Sequence, residues 1–224
     1  MNKRSNIIME QSNIFISVGA TSTEKQEEFV SAIENRLRSE GLIPNTVGRN
    51  KFTADSPLKT INELMDECHG TVIVALERTY FPSGLEKRGG EKEAELKEVK
   101  IPTPWNQIES AMAYSKGHPL MIIIEEGLKT EGLLERGYEW YVLYLSPEKS
   151  SLLTTEFNGV FNSWKNKVEN YKKNKNQDKK NINPDSLTIG DLIKSLKPSQ
   201  LWAILVALAG LITGAFILGQ FFAK

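Results

Sequence analysis

The sequence has few of the residues that most often build disulfides, metal centres and catalytic triads. Among 224 residues, Cys68 is the only cysteine, and His69 and His118 are the only histidines. A single cysteine excludes an intramolecular disulfide. Neither histidine has a partner at metal-ligand spacing, and the phosphate-loop, dinucleotide and serine-elbow motifs are missing. We therefore predict no metal or bound cofactor and interpret both histidines as structural.

The sequence also has no excess of either charge. It contains 28 basic and 28 acidic residues. A nucleic-acid binder that neutralises phosphates needs a basic face, so this balance argues against a nucleic-acid partner. The amino-terminal residues 1–13 lack the apolar segment of a signal peptide. We therefore expect the amino-terminal domain to lie in the cytoplasm.

Residues 201–223 form one long run without a charged side chain. As a helix this run is about 34 Å long, slightly more than the roughly 30 Å core of a bilayer. The alternative is a buried core helix, which should show a polar stripe. The sequence therefore predicts a single-pass membrane protein, with lysines before the span on the cytoplasmic side. Small residues fill one stripe of this helix and predict self-association into a homo-oligomer: Ala203, Ala207, Gly210 and Gly214.

Short apolar runs alternate with amphipathic helical patterns over residues 1–150. Strands are predicted at residues 13–19, 42–47, 70–76, 120–124 and 140–145, and helices after Thr23, Ser56 and Thr103. Such alternation predicts an α/β domain with a parallel sheet and helices on both faces. Residues 81–100 are crowded with charge and are interpreted as a solvated loop. An amphipathic stretch and a Lys/Asn-rich linker are predicted over 151–198, followed by the transmembrane helix over 199–224.

The strongest candidate for chemistry is the block from Thr103 to Pro119. Thr103 and a following proline predict a helix start. Trp105, Ile108 and Met112, with Ala111 and Ala113 one turn off, predict its buried side, and Glu109 follows Trp105 by one helical turn. A carboxyl group beside an indole can have a raised pKa and act as acid, base or nucleophile. The alternative is a surface glutamate that pairs with Lys116.

This block resembles a helix of two enzyme families. A tryptophan, a glutamate four residues later, and then Ala-x-x-x-Gly-x-Pro before an apolar strand are similar to the third helix of TIR domains. The same pattern resembles the glutamate-containing helix of nucleoside 2-deoxyribosyltransferases. Both families share a flavodoxin-like layout, and the resemblance extends over residues 13–145. It implies that Glu109 is the catalytic group at an N-glycosidic bond of NAD or a nucleoside. It further implies ligand contacts from Ser17, Gly19, Tyr80 and Trp105.

Three functions of different classes remain open on the sequence. The first is a membrane-tethered nucleotide-sensing effector of bacterial anti-phage signalling, in which ligand binding drives assembly through the carboxyl-terminal span. The second is a TIR-like NAD glycohydrolase or a deoxyribosyltransferase-like N-glycosidase that uses Glu109. The third is a non-catalytic interaction module held at the membrane. A nucleotide-type small molecule is the expected ligand in the first two.

Overall fold

The computed structural model describes residues 11–137, 139–181, 190 and 196–222. The chain divides into two units, Met1–Lys175 and Asn176–Lys224. The strands are β1 (Ser12–Val18), β2 (Leu42–Asn45), β3 (Thr71–Ala75), β4 (Thr79–Glu86), β5 (Ala94–Ile101), β6 (Leu120–Glu125) and β7 (Val142–Leu145). The helices are α1 (Glu24–Ser39), α2 (Pro57–Glu67), α3 (Pro104–Ser115), α4 (Thr155–Asn181) and α5 (Pro198–Phe222).

A five-stranded sheet in the order β2-β1-β3-β6-β7 forms the centre of the first unit. Every neighbouring pair in this sheet is parallel. Parallel strands need crossover connections. The helices α1, α2 and α3 lie in three of them, and a short 3-10 helix, Gly132–Leu134, lies in the connection from β6 to β7. The α/β architecture and the parallel sheet expected from the alternation of strands and helices are therefore present.

The two faces of the sheet have separate cores. Ile14 and Ile16 point to one face, where the apolar sides of α1 and α4 pack against them. Phe15 points to the other face, where it packs with residues of α2 and α3. Since side chains alternate along a strand, Ser17 lies on the same face as Phe15, under α2 and α3.

The helix starts follow their predicted caps. The Thr23 hydroxyl accepts a hydrogen bond from the Gln26 backbone N–H at the start of α1. The Thr103 hydroxyl accepts from the Trp105 N–H at the start of α3, with Pro104 at the first helical position. A proline there loses no intrahelical hydrogen bond, so the sequence defines both starts locally.

The prediction of a solvated loop over residues 81–100 is wrong. The strands β4 and β5 pair antiparallel into a hairpin, from Thr79 opposite Ile101 to Glu86 opposite Ala94. The charged side chains project from its exposed surface, which explains why composition alone indicated a loop. Gly89 lies in the connection with φ of +77°. The glycine pair in this connection is a local sequence signal for a turn.

The helix α4 completes the core of the first unit. Phe157, Phe161, Trp164 and Val168 recur at helical spacing and are buried against the sheet. The Trp164 indole donates to the Pro119 carbonyl oxygen at 3.0 Å. The predicted amphipathic stretch is therefore the start of a long helix that the sheet requires as a cover.

The prediction of a transmembrane helix is wrong. In the part of the chain that the structure describes, we find no helix with the length and apolar character needed to cross a membrane.

The small-residue stripe lies on α5. Ala203 and Ala207 are exposed, and a Cβ added to Gly210 would meet no described atom within 4 Å. The surroundings of Gly214 lie outside the described residues. Association through this stripe stays a prediction.

Candidate active site

A pocket of about 450 Å³ opens at the carboxyl ends of β1 and β3. The chain leaves β1 for β2 on one side and continues to β3 on the other, so this is the point where the strand order reverses. Open parallel sheets bind their ligands at such a switch point. The pocket is lined by Val18, Gly19, Ala20, Val47, Pro57, Ile61, Arg78, Thr103, Pro104, Trp105 and Glu109. Its volume lies within the range of about 300–1,000 Å³ that is typical of small-molecule sites.

Glu109 is the carboxyl group of this pocket. Its side chain projects from the second turn of α3, and the residue is only 7% exposed. Burial raises its pKa to about 7, and a hydrogen bond from Ser17 opposes the rise. Burial disfavours the charged form of a carboxyl group, so the neutral form is favoured. The alternative interpretation, a surface glutamate paired with Lys116, is wrong, because Lys116 pairs with Asp66 instead.

A buried hydrogen-bond network holds Glu109 from below. The Ser17 hydroxyl accepts a hydrogen bond from the Asn106 side-chain amide at 2.9 Å. The Ser17 hydroxyl also has one proton to donate, and its interaction with Glu109 lowers the pKa of that carboxyl group. Both Ser17 and Asn106 are fully buried. The network therefore connects β1 to the first two turns of α3 and orients the carboxyl group.

The buried side of α3 differs from the prediction. Trp105 and Ile108 are 39% and 41% exposed. The buried positions are instead polar or small and follow a helical stripe: Asn106, Glu109, Ser110 and Ala113. The predicted Ala113 is buried, but apolar periodicity missed the polar members of this stripe, because this helix directs polar residues at the sheet. A buried polar stripe is typical of a functional site, since each group costs free energy unless it is hydrogen-bonded.

Of the other predicted ligand residues, three lie at the pocket and one lies elsewhere. Gly19 and Trp105 line the pocket, and a Cβ on Gly19 would approach the Thr103 Cγ2 atom to 3.1 Å. Ser17 lies beneath the pocket as a partner of Glu109. The described lining residues do not include Tyr80, which is half-exposed on β4 opposite Lys100. The structure thus brings Ser17, Gly19, Trp105 and Glu109 together.

A cluster of ion pairs connects the loop after β1 with the loop after β2. The Arg49 guanidinium donates to Glu27 at 2.8 Å and to Glu34 at 2.7 Å. The Thr21 hydroxyl donates to the same Glu27 carboxylate at 2.8 Å. The hydrogen bond with Arg49 is the main cause that lowers the pKa of Glu27 to about 2. The loop after β1, which contains Thr21, is therefore joined to the loop after β2.

The histidines lie at the opposite edge of the sheet. His69 precedes β3, and His118 precedes β6. The His118 Nδ1 atom is 2.9 Å from the Thr71 hydroxyl, and burial lowers the pKa of His118 to about 4. His118 is therefore a neutral, buried imidazole at the amino ends of the strands, at the edge of the sheet opposite the pocket.

Two residues of the site were missed in the sequence. The sequence does not indicate Asn106, because a single buried amide produces no periodic pattern. Arg78 follows β3 and lines the pocket. Its position directly after an apolar strand was the available signal.

No family model matches the chain, and no curated protein matches it. Among solved structures, the chain is similar to the CMP N-glycosidase BcmB of Clostridium botulinum. The two are 14% identical, the match covers 63% of this chain and 94% of BcmB, and the TM-score is 0.40. A TM-score of 0.40 is a loose likeness of overall shape, and it leaves the chemistry to be inferred from the pocket residues.

Proposed function

We propose that the first unit is an N-glycosidase that cleaves the bond between a ribosyl carbon and a nucleobase or nicotinamide. The observation that carries this proposal is the Glu109 carboxyl group, buried in the switch-point pocket with a pKa of about 7. Strongly shifted pKa values in a pocket are typical of acid, base and nucleophilic groups. The resemblance to glycosidic-bond enzymes, with Glu109 at the matching position, supports the same reaction.

In the proposed reaction the Glu109 carboxylate acts on the anomeric carbon. A Glu109 oxygen forms a bond to that carbon while the carbon–nitrogen bond breaks and the base leaves with the bonding electrons. A nucleobase then takes a proton from solvent, whereas nicotinamide, which is a cation while attached to the ribose, leaves as a neutral molecule. Water then adds to the same carbon, gives one proton to solvent and releases the sugar, which restores the carboxylate. The Ser17 hydroxyl positions Glu109 for the attack.

The test is base release by the full chain. The purified protein is incubated with NAD, with nucleosides and with nucleoside monophosphates, and free base is measured by chromatography. We expect Glu109→Gln to lower the rate at least about 100-fold, because glutamine cannot form the nucleophilic carboxylate.

The matched control is Glu95→Gln. Glu95 is an exposed glutamate on β5 that pairs with Lys97, and it should leave the rate unchanged. Turnover that survives Glu109→Gln would contradict the proposal. Equal losses in both variants would indicate a preparation effect instead of catalysis.

A nucleotide sensor is the second candidate function. The observation that favours it is that the described lining residues include a single carboxyl group and no histidine, so none is an evident acid for the leaving base. A sensor predicts ligand binding without base release. Assembly of the chain into an oligomer would then be the output. Thermal stabilisation by a nucleotide, with no base released over many hours, would support this function over the enzyme.

A further inference from the structure

Arg78 lies in the wall of the same pocket as Glu109. It follows β3, and its guanidinium donates one hydrogen bond, to the Ala20 carbonyl oxygen at 3.4 Å. A guanidinium has five N–H donors, so most of its hydrogen-bonding capacity is unused among the described residues. Within that part of the chain, no carboxylate lies within ion-pair distance of Arg78.

Two acidic residues near Arg78, Glu77 and Glu125, already have partners. Glu77 pairs with Lys100 at 2.8 Å, and the Glu125 carboxylate accepts from the Glu77 backbone N–H at 2.8 Å. These contacts direct both carboxylates toward their own partners. Arg78 is therefore placed for an anion that comes from outside the chain.

The rest of the pocket mouth also suits an anion. Thr103, Pro104 and Trp105 form the start of α3, whose first turn contains no acidic residue. The positive end of the helix dipole adds to the charge of Arg78. Glu109 is the only acidic residue in the described lining, and its raised pKa reduces its repulsion of an anion near neutral pH.

We propose that Arg78 binds the 5′-phosphate of the substrate, so that the site selects 5′-phosphorylated nucleotides over nucleosides. This inference rests on the proposed function of the pocket. The guanidinium fork matches phosphate oxygens and forms paired, charge-assisted hydrogen bonds with them. One end of the ligand is then held by Arg78 while the anomeric carbon faces Glu109. Both nucleoside 5′-monophosphates and NAD have such a phosphate.

The test compares each nucleoside with its 5′-monophosphate, and with NAD, on the full chain. We expect kcat/KM for the preferred monophosphate or NAD to exceed that for the matching nucleoside by about 10- to 100-fold. Arg78→Gln should lower kcat/KM for the monophosphate or NAD to about the value for the matching nucleoside and so remove this preference. Arg78→Lys should retain part of it, because lysine keeps the charge and loses the fork.

The control is Arg88→Gln, an exposed arginine in the β4–β5 connection that should change nothing. A second measurement follows binding to Glu109→Gln protein by calorimetry, with nucleoside monophosphates, nucleosides and inorganic phosphate. Nucleotide binding that is lost in the Arg78→Gln/Glu109→Gln double variant supports the phosphate site even if no base is released, in which case only the proposed reaction fails. Turnover of nucleosides and nucleotides with equal kcat/KM, or a preference that survives Arg78→Gln, overturns the phosphate site alone. If no ligand binds or reacts, both proposals are overturned.

Discussion

Glu109 combines a cost in stability with a chemical use. A carboxyl group with a native pKa of about 7 and an ordinary pKa of 4.5 binds its proton more tightly in the folded state than in the unfolded state. Between these two values the native protein holds more protons, so its contribution to the free energy of unfolding falls as pH rises. The full penalty, about 3 kcal/mol, is reached above pH 7. The burial that destabilises the folded protein is also what raises the pKa of Glu109 toward neutral pH.

A stability measurement on Glu109→Gln tests this penalty. Glutamine is neutral at every pH, so the variant should be more stable than the parent by about 2–3 kcal/mol at pH 8 and close to it at pH 4. Urea denaturation at both pH values gives the two differences. A pH-independent difference would show that the Glu109 carboxyl group titrates at an ordinary pKa in the folded protein.

The activity should follow the same titration. If the carboxylate is the acting form, kcat/KM rises as pH increases through about 7 and is level above it. Ser17→Ala removes a hydrogen bond that lowers the pKa of Glu109, so it should move the midpoint to higher pH. A pH profile of base release for both proteins measures this shift. A rate that falls through pH 7 would assign Glu109 the role of a proton donor.

At the scale of elements, α4 packs so closely against Gly70, the residue before β3, that no Cβ atom fits there. A Cβ on Gly70 would lie 2.6 Å from the Val168 Cγ2 atom and 3.4 Å from the Trp164 ring. Gly70→Ala should therefore destabilise the protein by about 1–3 kcal/mol through overpacking. Urea denaturation measures this loss. Adding Val168→Ala should return part of it by removing the clash.

The control for this change is Gly84→Ala on the exposed hairpin. A Cβ on Gly84 would meet nothing within 4 Å. The same loss in both variants would mean that the intrinsic backbone effect of alanine, and no contact with α4, causes it.

The hairpin itself shows how pairing between strands overrides composition, because charge content indicated a loop where cross-strand hydrogen bonds form a ladder.

At the scale of the whole molecule, the sequence placed the end of the first domain at residue 150, whereas the first unit continues to Lys175. Four large side chains of α4 are at most 3% exposed: Phe157, Phe161, Trp164 and Val168. At about 1.5–3 kcal/mol for each buried side chain, their removal costs about as much as a typical domain's entire stability.

Truncation tests where this unit ends. A chain that stops after residue 150 should be unfolded or aggregated, because the face of the sheet under α4 would be exposed to water. A chain that stops after residue 181 should melt cooperatively at a temperature close to that of the full chain. Circular dichroism melts of the two truncated chains and the full chain measure this. Cooperative melting of the shorter chain would show that the predicted boundary at 150 is correct.

The amino-acid sequence by itself determined the features that depend on near neighbours. Apolar runs defined the strands of the sheet, and Thr23 and Thr103 defined helix starts, because a cap bonds to the backbone two or three residues away. The spacing within one helix also made Glu109 a candidate.

Only the tertiary structure decided which side of α3 is buried, that residues 79–101 pair as a hairpin, and that Asn106 and Arg78 belong to the pocket. These features depend on contacts between segments distant in sequence. The Ser17–Asn106 hydrogen bond joins residues 89 positions apart, and the Arg78–Ala20 bond joins residues 58 apart. Hydrophobic periodicity reports where water is avoided, whereas this site is built from polar groups whose burial is stabilised by long-range hydrogen bonds.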